Sequence, residues 1–85
     1  MTRFTVTWQD EAQDDLVGIW LNAEHRTSVT ASADTIDRKL AEDPLLKGEE
    51  LREGLRVIDV PPLRATFEII LDDLKVIVYR IRLLP

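Results

Sequence analysis

Four arginines and one glutamate stand inside otherwise apolar runs. Arg56 lies in residues 55–60, Arg64 and Glu68 in residues 63–71, and Arg80 and Arg82 in residues 75–84. Charged groups set among valine, isoleucine and leucine make an amphipathic surface of the kind a macromolecular partner covers. Cross-strand Arg–Glu pairs also decorate the wet side of many sheets, where each pair stabilises little. As a group, Arg56, Arg64, Glu68, Arg80 and Arg82 read as a partner-binding face.

Other reactive residue types carry less. His25 is the only histidine and falls in a connection between two helical patterns, as an exposed turn residue. Asp14 and Asp15 are adjacent on a helix, so their side chains diverge by about 100° and cannot act on one substrate. Asp72 and Asp73 read as a turn, because two carboxylates alone seldom hold a dedicated cation. Trp8 and Trp20 both fall on apolar stripes and read as core anchors. Thr27, Ser28, Thr30, Ser32 and Thr35 form a polar helix face. There is no phosphate loop, serine triad or zinc spacing, so neither a metal nor a cofactor is expected.

The elements that must position these residues follow from period and punctuation. Residues 3–8 alternate, with Phe4, Val6 and Trp8 on one side, which is the pattern of a half-buried strand. Asp10 starts a helix, with Gln13 at capping-box spacing. Ala12, Leu16, Ile19, Trp20 and Ala23 form its apolar stripe, with Asp14, Asp15 and Glu24 off it. Thr27 or Ser28 caps a second helix, whose stripe is Val29, Ala33, Ile36 and Leu40. Asp43-Pro44 closes it, since a residue before proline avoids helical angles. The short link between the helices makes them a hairpin.

Residues 45–54 read as a polar connector. The runs at 55–60, 63–71 and 75–84 then read as three strands, punctuated by Pro61-Pro62 and Asp72-Asp73. Short connections predict an antiparallel meander, joined by the first strand at an edge that sequence leaves open. Alternation puts Ala65, Phe67, Ile69 and Leu71, and Ile77, Tyr79, Ile81 and Leu83, under the helices. It leaves Arg64, Glu68, Arg80 and Arg82 on the open side. Arg56 joins them if Leu55, Val57 and Asp59 face the helices. The expectation is a single α+β domain, 1–85, of order β-α-α-β-β-β, with a helical hairpin on one face of a small, mainly antiparallel sheet.

Bulk properties narrow the class. Eighty-five residues that are 45% hydrophobic make one domain with one modest core. No run of eighteen apolar residues exists, so no membrane partner is expected, and the absence of cysteine fits a cytoplasmic protein. The net charge of −5 is uneven. Residues 1–50 hold eleven acidic and five basic side chains, and residues 51–85 hold five and six. An acidic domain is a poor general binder of nucleic acid, so direct sequence-specific DNA binding is not expected. A basic partner segment is the easier fit to the acidic half.

In this setting the chain resembles RelE/ParE-type toxins of type II toxin–antitoxin modules. The residues Trp8-Gln-Asp-Glu-Ala12-Gln-Asp-Asp15-Leu16-Val-Gly-Ile19-Trp20 resemble the family's first helix. Ile36-Asp-Arg-Lys-Leu40-Ala-Glu-Asp43-Pro44-Leu-Leu-Lys-Gly48 is similar to its second, ending in a proline and a glycine. Arg56-Val-Ile-Asp-Val-Pro-Pro62-Leu63-Arg64-Ala-Thr-Phe67 resembles its strand pair, and Asp72-Asp73-Leu-Lys-Val76-Ile-Val78 its closing hairpin.

The resemblance covers nearly the whole chain and implies a toxin neutralised by a cognate antitoxin. RelE-like members cut mRNA in the ribosome, and ParE-like members inhibit DNA gyrase. The sequence departs from the RNA-cutting pattern. It closes on Leu83-Leu84-Pro85, where that pattern has a tail with histidine or tyrosine, and its pI is near 4.7. These departures favour a ParE-like member acting by protein contact, as in plasmid stabilization, over an enzyme. The alternatives are a ribosome-dependent endoribonuclease, with Arg64 and Arg82 as its catalytic candidates on phosphate, and a non-toxic binding-only relative. Exposed apolar sheet surface would favour a homo-oligomer of the isolated protein.

Overall fold

The computed structural model describes residues 3–85. The order is β1 (Thr5–Trp8), α1 (Asp10–Asn22), α2 (Arg26–Glu42), a 3-10 turn (Pro44–Leu46), β2 (Glu49–Arg52), β3 (Leu55–Val60), β4 (Leu63–Ile70) and β5 (Lys75–Leu83). The five strands form one sheet in the order β1-β5-β4-β3-β2. β2 to β5 are an antiparallel meander, and β1 joins it parallel to β5, with Thr5 opposite Lys75 and Trp8 opposite Val78. The expected α+β architecture is the one observed. It gains a strand, because Glu49–Arg52 in the expected connector pairs with β3. That strand is exposed at every residue, so no apolar alternation marked it.

Both helices lie on one face of the sheet, and the core forms between them. Ala12 of α1 and Val29, Ala33, Ile36 and Leu40 of α2 meet Leu63, Ala65, Phe67, Val76, Val78 and Ile81. The stripes at helical spacing and the alternation along β4 put these residues there. Ser32, the buried polar residue of α2, donates its hydroxyl to the Val60 carbonyl and so ties the helix to β3. The outer edge of β1 is fastened at its start, where the Phe4 N–H donates to the Ala41 carbonyl at 2.8 Å.

The helix starts differ from expectation. Gln9 caps α1, and the Gln13 amide donates to the Trp8 carbonyl at 2.9 Å instead of closing a capping box with Asp10. α2 begins two or three residues earlier than a Thr27 or Ser28 cap requires: Arg26 is its first residue and donates to the Trp20 and Leu21 carbonyls at the end of α1. The same guanidinium lies 4.5 Å from the Trp20 ring, which is surface rather than core.

Two measurements test this packing. Phe67 is fully buried at the centre of the sheet, so Phe67→Ala should cost about 3–5 kcal/mol in urea unfolding. Gly48 has φ +72 and faces the Val57 carbonyl where a side chain would begin, whereas Gly54 has φ +82 and open space. Gly54→Ala should therefore cost only the left-handed penalty of about 1–2 kcal/mol. Gly48→Ala should cost clearly more, since a backbone clash adds to the same penalty.

Candidate functional site

Cross-strand register defines the side of the sheet away from the helices. Asp59 lies opposite Arg64, and Val57 opposite Thr66. Arg82 lies opposite Arg64, Arg80 opposite Thr66, and Ile77 opposite Glu68. Arg64, Glu68, Arg80 and Arg82 thus share a face, as expected. Arg56 does not. It pairs with Phe67, which points at the helices, so it belongs to the covered side. There its guanidinium donates to the Lys47 and Gly48 carbonyls at 3.1 and 3.4 Å and holds the segment leading into β2. The phase of β3 decides this: Ile58 and Val60 face the core, not Leu55, Val57 and Asp59.

A bulge governs β5. Thr66 pairs with Arg80 but Phe67 pairs with Val78, so Tyr79 is an extra residue against β4. Before the bulge Val76 and Val78 enter the core; after it Ile81 does. Ile77 and Tyr79, expected under the helices, lie on the open face. One extra residue reverses the parity of a strand, so a single alternation across the whole segment must misplace half of it.

On that face Arg64, Glu68, Tyr79, Arg80 and Arg82 each have a partner in the same chain. Arg64 is bidentate to Asp59, at 2.7 and 3.0 Å. The Tyr79 hydroxyl donates to the Glu68 carboxylate at 2.6 Å. Arg80 reaches past the sheet edge to Asp15 of α1, at 2.8 and 3.2 Å. Arg82 lies 3.6 Å from the same carboxylate, and the Ile81 N–H donates to it at 2.9 Å. The bond from Arg80 and the N–H of Ile81 hold the Asp15 carboxyl below the usual carboxylate range against the desolvation of partial burial. Arg64 does the same for Asp59. Glu68 pushes the Tyr79 phenol up, so Tyr79 stays protonated as a donor.

Asp15, Asp59 and Tyr79 are the residues that sequence reasoning did not assign to this face. Asp15 carried a signal: it lies three residues after Ala12 and four before Ile19, on the margin of the apolar stripe rather than opposite it.

Two further surfaces bear on partners. The outer groove between the helices exposes Val17, Trp20 and Leu21 beside Leu16. A cleft of about 990 Å³ separates the second half of α1 from the end of β5. No helix among the described residues is long and apolar enough to cross a membrane.

No family model matches the sequence, and no curated protein matches it. Solved structures do match. A chain of the toxin-antitoxin complex RelBE2 from Mycobacterium tuberculosis superposes with a TM-score of 0.81 at 22% identity, covering 99% of this chain and 94% of that one. The chromosomal ParDE system of P. aeruginosa gives 0.74 at 15% identity, over 100% of both chains. The isolated RelE toxin of E. coli gives 0.67 at 15% identity, over 96% of this chain and 85% of that one. The fold is therefore that of RelE/ParE-type proteins.

Asp15 and Asp59 both have depressed folded-state values, so their contribution is complete above the ordinary carboxylate pKa of about 3.9 and is lost as pH falls through the folded values. The urea midpoint should fall between about pH 5 and pH 2. Asp15→Asn should flatten part of that fall. At pH 7 it should cost about 1.5–3 kcal/mol, toward the lower figure because Arg80 is half exposed.

Proposed function

We propose that this chain is the toxin component of a type II toxin–antitoxin module, ParE-like in mode, acting by protein contact and neutralised by a cognate antitoxin. The observation that carries the mode is the state of the open face. Arg64 and Arg80 are each engaged by a carboxylate of the chain itself, and Arg82 shares the second of these. A phosphate-binding site needs cationic donors free to meet the anion. Paired guanidinium groups beside Ile77 and Ile70 instead form a mixed surface suited to another protein. The exposed Val17, Trp20 and Leu21 on the helical hairpin supply a second apolar contact region. DNA gyrase is the first target to test, on the fold shared with the ParDE system of P. aeruginosa.

One observation favours the rival enzyme reading, a ribosome-dependent endoribonuclease. The Tyr79 hydroxyl, the Glu68 carboxylate and Arg80 line one shallow depression on the open face. A phenol bonded to a carboxylate near a guanidinium is a group set that can move a proton beside a phosphate.

Induced expression, alone and together with any short reading frame that adjoins the gene, followed by two biochemical assays, separates the readings. On the protein-contact reading growth stops, an adjoining frame restores it, purified protein inhibits gyrase supercoiling, and mRNA stays full length. Cleaved mRNA that becomes intact in Tyr79→Phe or Glu68→Gln would replace this reading with the enzyme. Harmless expression of the chain alone would leave a binding-only relative.

A further inference from the structure

The two edges of the sheet are built differently. β2, at one end, is charged at three of its four positions, and its register shifts between Glu50 and Arg52. Charge and a bulge are what keep an edge from pairing with another chain. β1, at the other end, reads Thr5-Val6-Thr7-Trp8, with no charge and no proline, and its pairing to β5 is unbroken. Residues of these types favour a strand.

The backbone groups left free on β1 follow from its bonds. The Thr5 N–H donates to Leu74 and the Gln9 N–H to Val78. In a parallel pair, residues 5, 7 and 9 then turn both of their groups toward β5, and Phe4, Val6 and Trp8 turn theirs outward. Two of the outward groups are already used. The Phe4 N–H donates to the Ala41 carbonyl, and the Trp8 carbonyl accepts from the Gln13 amide. Among the described residues no bond is made by the Phe4 carbonyl, by either group of Val6 or by the Trp8 N–H.

The groups that remain match one another. When a second copy of β1 lies antiparallel with Val6 opposite Val6, the two valines exchange both bonds. Each Trp8 N–H then meets the Phe4 carbonyl of the other copy. The groups that this register would leave over, the Phe4 N–H and the Trp8 carbonyl, are the two the fold already satisfies. Side chains agree with the same register. Thr5 and Thr7, both exposed, stand opposite each other, and Phe4 stands opposite Trp8 as an aromatic pair on the helical side. Arg3 and Asp10 bracket the strand with opposite charge, so Arg3 comes beside Gln9 and Asp10 of the second copy rather than beside another cation.

We propose that β1 is a self-pairing edge: two copies of this chain join antiparallel through Thr5–Trp8 about a twofold axis at Val6, so that two five-stranded sheets become one continuous sheet. The contact is short, so the dimer is a weak one. This inference stands apart from the toxin reading, because self-association is measured without growth, gyrase or RNA.

Sedimentation equilibrium of the full chain should show a monomer–dimer equilibrium in the micromolar-to-millimolar range. NMR of a mixture of isotope-labelled and unlabelled chain should give an intermolecular Hα–Hα contact between Thr5 and Thr7, the closely spaced pair of this register. Amide exchange at Val6 and Trp8 should slow as concentration rises. Thr5→Lys with Thr7→Lys sets like charges opposite each other on both sides of the axis and should weaken the dimer about tenfold at low salt. Thr5→Lys with Thr7→Glu sets opposite charges in the same places and should dimerise at least as tightly as the unaltered chain. Equal dimer constants for the two double variants, intermolecular contacts at β2 or at Val17 and Leu21, or a monomer at millimolar concentration would overturn the proposal.

Discussion

The carboxylate of Asp15 is the point on which the arrangement turns. α1 has one fully buried side chain, Ala12, with Leu16, Ile19 and Ala23 partly buried against the core. Asp15 adds a polar clamp at the edge of β5, accepting from a backbone N–H and from Arg80 together. The clamp works because the bulge at Tyr79 turns Arg80 toward the sheet edge and Ile81 back into the core. Helix position, strand parity and the orientation of two arginines are thereby one coupled feature rather than three.

The coupling divides the surface into unlike sides. The helical side carries the acidic excess and exposed apolar side chains, and the open sheet carries guanidinium groups already matched by carboxylates. Neither is a bare cationic field of the kind polyanions need. The charge separation along the sequence, strongly acidic before residue 51 and slightly basic after it, thus appears in space as a polarity between two layers that are joined at Asp15.

Much of the fold was legible because period and punctuation agreed. Two stripes at helical spacing, two proline stops and an alternating β4 sufficed for a hairpin over a meander. The misreadings have one cause. Parity along β3 and β5 depends on pairing, and both strands have apolar residues on both faces, so nothing local distinguished Val57 from Ile58 or Val78 from Tyr79. That ambiguity placed Arg56 on the wrong side and hid Tyr79 from the open face. Charged partners were harder still, because Asp15 and Arg80 meet only through the tertiary fold. The short β2, wholly exposed and charged at three of its four positions, is the kind of guarded edge that carries no apolar signal at all.

The parallel pairing of β1 with β5 has a consequence for synthesis. Thr5 must find Lys75, so the first strand made waits for the last one before it has any sheet neighbour. During translation the helical hairpin and the early meander can collapse while β1 trails unpaired, and closure comes only after β5 has left the exit tunnel. A nascent chain of this topology therefore lacks its completed sheet until β5 has emerged, and whatever recognises that sheet meets it only then.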